Sequence, residues 1–181
     1  MGFLYTPLNT SNKQKLKNYQ KKINTVYKRT ESIRGFVINT SIELEWCLNN
    51  LIRIYYIKEN VKDKRHIKFW VDILDHITLD RKIEIVKGIG IHTRKPFKNK
   101  YGNFIKKLRE VQEIRNKMAH KAFSIGQNMH MYIMKDTAKK KKYTIINKKF
   151  KKKFKKDALE LMDICSKFID FTEKRDSTKK S

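Results

Sequence analysis

The residues best equipped for chemistry lie in the string Glu113-Ile114-Arg115-Asn116-Lys117-Met118-Ala119-His120. An imidazole is the side chain whose ordinary titration falls near neutrality, so His120 can both take and return a proton. Arg115 stays charged and can hold a phosphate through two parallel hydrogen bonds, steadying negative charge as it builds. Asn116 can hydrogen-bond a phosphate or a ribose, or orient His120. In a helix successive residues turn by about 100°, so Arg115 and His120 project about 140° apart, whereas Asn116 and His120 stand one turn apart. The length of the arginine side chain is what lets its guanidinium reach the same cleft, above all where two such helices face each other.

That string must be carried by a helix, and the apolar spacing supplies one. Asn103 offers a cap, and Phe104, Leu108, Val111, Ile114 and Met118 recur at helical intervals to about Phe123, with Gly126 closing. Upstream, the sequence predicts a Lys-rich amphipathic helix over 12–28 (Leu16, Tyr19, Ile23, Val26, Tyr27). Capping chemistry at Thr30, Glu31 and Ser32 then opens a long core helix from Ser32 to about Lys58. A charged loop is expected over 60–66 and a shorter helix over 67–77 with Phe69, Trp70, Ile73, Leu74 and Ile77. Thr78 reads as an N-cap with Asp80 in the first turn, followed by Leu79, Ile83, Val86 and Ile89, ending near Gly88 or Gly90. Residues 91–102, with Pro96 and Gly102, read as a loop. Period-two alternation around Met131 and Ile133, and again around Tyr143 and Ile145, predicts a β-hairpin across a Lys-rich turn. The last helix is expected over about 150–172 with Leu159, Met162, Cys165 or Ser166, and Ile169 on its apolar face, followed by a frayed polar tail.

At this point a resemblance enters. Arg115-Asn116-x-x-Ala119-His120 resembles the R-x4-6-H signature of the HEPN superfamily. Glu45-Trp46-Cys47-Leu48-Asn49-Asn50-Leu51-Ile52 with Tyr55-Tyr56 resembles that family's acidic first core helix, and Thr78 to Ile89, with Lys82-Ile83, resembles its next one. The hairpin and basic final helix are similar to additions in some members, so the likeness covers about 32–172. It implies an all-α fold, a HEPN-like up-and-down helical bundle with a small C-terminal β-hairpin and a final basic helix. It also implies a homodimer in which two motifs face one cleft, metal-independent cleavage of RNA, and no cofactor. Defence or toxin–antitoxin settings, with an antitoxin or defence partner protein, come with the family. Self-cleavage chemistry of RNA needs a proton removed from a 2′-hydroxyl and one given to the leaving 5′-oxygen, and two copies of His120 suit that division. The resemblance makes Arg115, His120, Asn116 and Glu45 the expected catalytic set, Glu45 orienting Arg115 or His120. Asn49, Lys117 and Lys121 are the expected RNA contacts. Two positions depart from the pattern. Lys121 follows the histidine where glycine is frequent, and Ala122 stands where some toxin members carry a tyrosine that their partner modifies.

Each of these residues also has a plain structural reading. Arg115 and His120 can simply complement the negative end of a helix dipole. Glu45 can be an internal ion pair and Asn49 a packing group. His66, His76, His92 and His130 lack metal-ligand spacing and read as surface or loop residues. The lysine runs 139–142 and 148–156 are either solvated faces or RNA contacts, with Phe150 and Phe154 stacking on bases or pinning the helix to the core. Trp46 and Trp70 read as core or dimer-contact residues.

Composition bounds these readings. The chain has 181 residues, which suits an N-terminal extension over 1–31, one domain over 32–173 with its hairpin at about 129–147, and a tail over 174–181. Lys and Arg number 44 against 18 Asp and Glu, a formal charge of +26 that attracts polyanions and opposes self-association. Biased genome content is a second source of lysine and isoleucine. Only six glycines and two prolines occur, which favours helices over a many-turned β architecture. Two cysteines, Cys47 and Cys165, form neither a zinc set nor a disulfide framework and suit a reducing, cytoplasmic setting. No apolar run reaches membrane-spanning length and the first residues lack the charge-then-apolar layout of a signal peptide, so no membrane association is expected. Gly2 with Thr6 is a weak match to a myristoylation pattern. Phosphate-binding glycine loops, paired catalytic carboxylates and a serine-hydrolase elbow are not found. A non-catalytic RNA- or protein-binding module and a DNA-binding helical protein are the competing functions.

Overall fold

A computed structural model describes residues 13–57, 68–69, 71–120, 123–126, 130–135 and 142–177. The expected loop at 60–66, the tip of the hairpin, Trp70, Lys121 and the two chain ends lie outside them. Among the described residues five α-helices and one small antiparallel sheet account for nearly all regular structure. The helices are α1 (Lys13–Ile57), α2 (Leu79–Ile89), α3 (Lys95–Tyr101), α4 (Phe104–His120) and α5 (Lys148–Ser177). The strands are β1 (Ser124–Ile125), β2 (Met131–Lys135) and β3 (Lys142–Ile146). The chain divides into two units, one formed by 1–33 with 122–147 and the other by 34–121 with 148–181.

In the first unit, α1 begins as an exposed helix: Leu16, Tyr19 and Tyr27 face solvent, with only Ile23 and Val26 half-covered. The two expected helices over 12–28 and 32–58 are one. Thr30 does not cap a new helix because its hydroxyl donates back to the Val26 carbonyl at 2.9 Å, which satisfies it inside a continuing helix. The sheet has three strands in the order β1-β2-β3 rather than a lone hairpin. Met131 pairs with Ile146 across β2 and β3, and both are buried, as period two requires. β1 pairs Ser124 with Tyr132 and Ile125 with Met131. The two-residue β1 is too short to show a period, and it lies where the sequence suggested the end of a helix.

In the second unit the core gathers from α1 (Leu44, Leu48, Leu51), α2 (Ile83, Val86), α4 (Leu108, Val111, Met118) and α5 (Leu161, Phe168). α2 matches its expectation closely. Thr78 is the N-cap, accepting from the Arg81 N–H, and Gly90 ends the helix in the left-handed region at φ 69. Within the helix expected over 67–77, residues 68–69 and 71–72 are helical, and Leu74 is buried in the 3₁₀ turn that follows (Leu74–His76).

Residues 91–102 are not a loop. A 3₁₀ turn (Ile91–Thr93) leads into α3, and Pro96 sits in its first turn, where the missing N–H costs nothing. Phe97 and Tyr101, one turn apart, are both buried, and Phe97 meets Phe168 edge-on at 5.6 Å. α5 is also phased differently from its expected stripe. Cys165 is buried as expected, but Leu159 is 51% exposed, and Phe154, Ala158, Leu161 and Phe168 are the other buried residues of the face. Phe154, hidden among lysines, is the residue that sets the true face, and the helix runs on past 172 to Ser177.

Candidate functional site

α4 holds the motif. Phe104, Leu108, Val111 and Met118 sink into the core and fix which side of the helix is left outside. A polar clamp adds to this. Arg109 donates to Asp80 and Glu84 on α2 and, at 3.1 Å, to Gln112, so α2 and α4 are tied along their exposed edge. Hydrogen bonds from Arg109 and Gln112 hold the Asp80 carboxyl below its ordinary range.

Among the described residues α4 runs to His120, and Phe123, its expected last residue, lies outside any helix. Its last turn is held from outside: Arg34 of α1 donates from Nη2 to the Ala119 carbonyl at 2.8 Å. That carbonyl is among those with no acceptor role left inside the helix, and a cation there also complements the dipole. Arg34 was not singled out in the sequence, where nothing links it to a residue 85 positions away.

Of the expected catalytic residues, three lie in the last two turns of α4. Arg115 is half-buried, and its Nη1 donates to Oδ1 of Asn116 at 3.3 Å. Asn116 and His120 are both exposed and lie one turn apart. The guanidinium thus reaches the side chain that stands one turn before His120. A phosphate set against Arg115 and Asn116 would have His120 at the adjoining turn.

Glu45 is elsewhere. Its Oε1 accepts from Nζ of Lys82 at 2.6 Å, with the lysine side chain 3% exposed and the carboxylate 24%. Among the described residues no hydrogen bond or ion pair joins Glu45 or Asn49 to Arg115 or His120. The ion-pair role is thus the one the geometry displays. Asn49, one turn further along α1, is buried with its Oδ1 lacking a hydrogen-bond partner. Ser41, Glu45, Asn49 and Arg53 make a polar row at four-residue spacing along α1, and Ser41 donates to the Val37 carbonyl at 2.8 Å. That spacing is visible in the sequence, and Lys82 was its unnoticed partner. Lys117 is paired with Glu113 one turn earlier, a tie that competes with an RNA contact. Lys121 lies outside the described residues.

The remaining candidates stay apart from this region's chemistry. Burial, with a contribution from Glu43, pushes the Cys47 thiol up, and burial pushes Cys165 up much further, so both are protonated and poor nucleophiles. His76 and His130 are exposed, as expected for surface residues. Phe154 is buried and Phe150 half-buried, their rings stacked 6.5 Å apart, so both serve the core. Trp46 is no core residue: it is 60% exposed beside Ile42 on α1. Among the described residues no group of three or more His, Cys, Asp or Glu is placed to hold a metal ion. No described helix is long and apolar enough to cross a membrane.

Comparison with known proteins returns no match to the chain, whether against family models, curated proteins or solved structures.

Proposed function

We propose that the protein is a metal-independent endoribonuclease of the HEPN type, acting as a homodimer that brings two copies of the last turn of α4 to one cleft. The observation that carries this reading is the hydrogen bond from the Arg115 guanidinium to the Asn116 carboxamide, one turn before the exposed His120 on α4. A single copy offers one imidazole, and the chemistry asks for a base and an acid. One His120 takes the proton of the 2′-hydroxyl while its oxygen bonds to phosphorus. The bond to the 5′-oxygen breaks, and the second His120 returns a proton to that oxygen. The products are a 2′,3′-cyclic phosphate and a 5′-hydroxyl. Arg115 holds the charge that accumulates on the phosphate. A cytoplasmic role in defence or toxin–antitoxin biology, with a partner protein, follows only from the family likeness.

The test is incubation of RNA with wild type and His120→Ala. Wild type is expected to leave cyclic-phosphate ends with a rate that falls on both sides of a pH optimum, with EDTA present throughout. His120→Ala should cut about 10²–10⁴-fold more slowly, and Arg115→Ala comparably. Equal cutting by His120→Ala protein would falsify the catalytic assignment.

A second reading is a non-catalytic HEPN module that binds RNA or a protein without cutting. It is favoured by the pairing of Glu45 with Lys82, which takes up the carboxylate expected to orient His120. Binding without product in the same incubation selects it.

A further inference from the structure

We propose that the lysine-bearing first turns of α5 are the surface on which RNA docks, laying its phosphate backbone against the end of the helical unit that carries His120. The inference rests on the ribonuclease reading and names its substrate as a chain with several phosphates beyond the one that is cut.

Seven of the nine residues from Lys148 to Lys156 are lysine. The rise of a helix packs them into about 12 Å of axis. Phe154 and Ala158 face the core. The turn of about 100° per residue therefore places Lys148, Lys149, Lys152, Lys153, Lys155 and Lys156 on the opposite arc. All six are exposed. Lys151, on the flank, lies with its Nζ 4.5 Å from the centre of the Phe36 ring. Among the described residues none of the seven forms an ion pair.

This charge stands at the wrong end of the helix for the isolated protein. The N-terminus already bears the positive pole of the dipole, and the first turn holds no acidic residue to offset it. Cations are expected to stabilise a helix at its other end. The arrangement becomes favourable once an anion with closely spaced charges lies across it.

Contacts within the same unit place the cluster beside the candidate site. Lys107, early in α4, meets Glu160 in the middle of α5 at 2.6 Å, and Phe97, just before α4, packs on Phe168. The two helices therefore run in opposite directions, and the end of α4 lies toward the start of α5. α1 touches both ends at once. Arg34 reaches the Ala119 carbonyl, and Phe36, two residues on, lies under Lys151.

Nucleic acid is the polyanion this surface fits. Between Lys148 and Lys156 the exposed arc carries no apolar side chain to enter a bilayer or to form the core of a protein interface. Ammonium groups act as point charges for phosphates without demanding a base sequence.

The experiment uses His120→Ala protein, so that binding is read without cleavage. Its affinity for a single-stranded RNA of about 20 nucleotides, longer than common single-strand site sizes, is measured by fluorescence anisotropy over a range of salt. A second protein adds Lys149→Gln, Lys152→Gln and Lys156→Gln. Each strand phosphate neutralised contributes about 0.7 to the slope of log affinity on log salt, so removing three should flatten it by about 2 and weaken binding about 100-fold at about 0.1 M salt. Triple replacement by arginine should keep both slope and affinity. Thermal stability of the glutamine variant should be unchanged or higher, since the clash with the dipole is relieved. An unchanged slope, an equal loss in the arginine variant, or tighter lysine-dependent binding of duplex DNA or of phosphatidylserine vesicles than of RNA overturns the proposal. The nuclease reading is decided separately. Lysine-dependent RNA binding by a wild type that never cuts leaves this inference standing and that one fallen. Cutting that ignores the lysines does the reverse.

Discussion

Glu45 illustrates how a single residue carries two meanings until a partner is seen. Its place in an acidic stretch suggested a role next to Arg115 or His120, and its position on a core helix suggested an ion pair. The sequence holds no sign that Lys82, 37 residues on, is the cation that meets it. Lys82 is nearly wholly buried and has that carboxylate as its ion-pair partner, whereas Glu45 keeps some contact with water. Lys82→Met should therefore cost about 1–3 kcal/mol, less than the 3–5 of a fully buried pair, because Glu45 can turn outward once released. In urea unfolding, Lys82→Met together with Glu45→Gln should be clearly more stable than the sum of the single losses predicts. Strict additivity would show that the two groups do not depend on each other. Glu45→Gln should also leave the cutting rate per folded molecule unchanged; a specific fall in that rate would return Glu45 to the catalytic set. Arg115, Asn116 and His120 were legible because their chemistry sits in six consecutive residues. Arg34 and Lys82 were not, because only tertiary contact assigns them.

At the scale of elements, what could be read depended on whether the signal was local. α2 carries every local mark at once: Thr78 before it, Asp80 in its first turn, an apolar stripe, and Gly90 after it. Its two glycines give a test with opposite signs. A Cβ at Gly90 would meet the Thr93 Oγ1 at 3.0 Å on a backbone at φ +69, whereas nothing lies within 4 Å of one at Gly88. Gly90→Ala should thus destabilise by about 1–2 kcal/mol and Gly88→Ala should stabilise by up to about 1. Equal midpoints for the two variants in thermal unfolding would mean that Gly90 is not the stop. Elements without such marks were misread. Pro96 was read as part of a loop where it stands in the first turn of a helix, and Thr30 as beginning a helix that it merely continues. α5 was phased on Leu159 because lysines surround Phe154. In a stretch so rich in charge the apolar period has too few members to fix the face, and only packing against Phe97 and the α1 residues does so.

The whole molecule sets its charge against its assembly. Two chains each carrying +26 repel one another, and salt screens that repulsion over about 10 Å at about 0.1 M. The dimerisation on which the proposed composite cleft depends should therefore strengthen as salt rises. RNA binding should weaken over the same range, since counterion release drives it. Cutting needs both, so its rate at fixed protein and RNA should pass through a maximum at intermediate salt rather than fall steadily. Sedimentation velocity across the series should show dimer increasing while anisotropy shows RNA affinity decreasing. Ile42, 55% exposed on α1 one turn from Trp46, is the apolar side chain to challenge. Ile42→Lys adds repulsion to an exposed face without touching the core, so it should hold the protein monomeric to higher salt and move the rate maximum upward. A monomer at every salt, cutting RNA as fast as the model of paired helices demands, would remove the need for a second imidazole and with it the shared cleft. A maximum that stays in place when Ile42 is changed would instead put the subunit contact on another face.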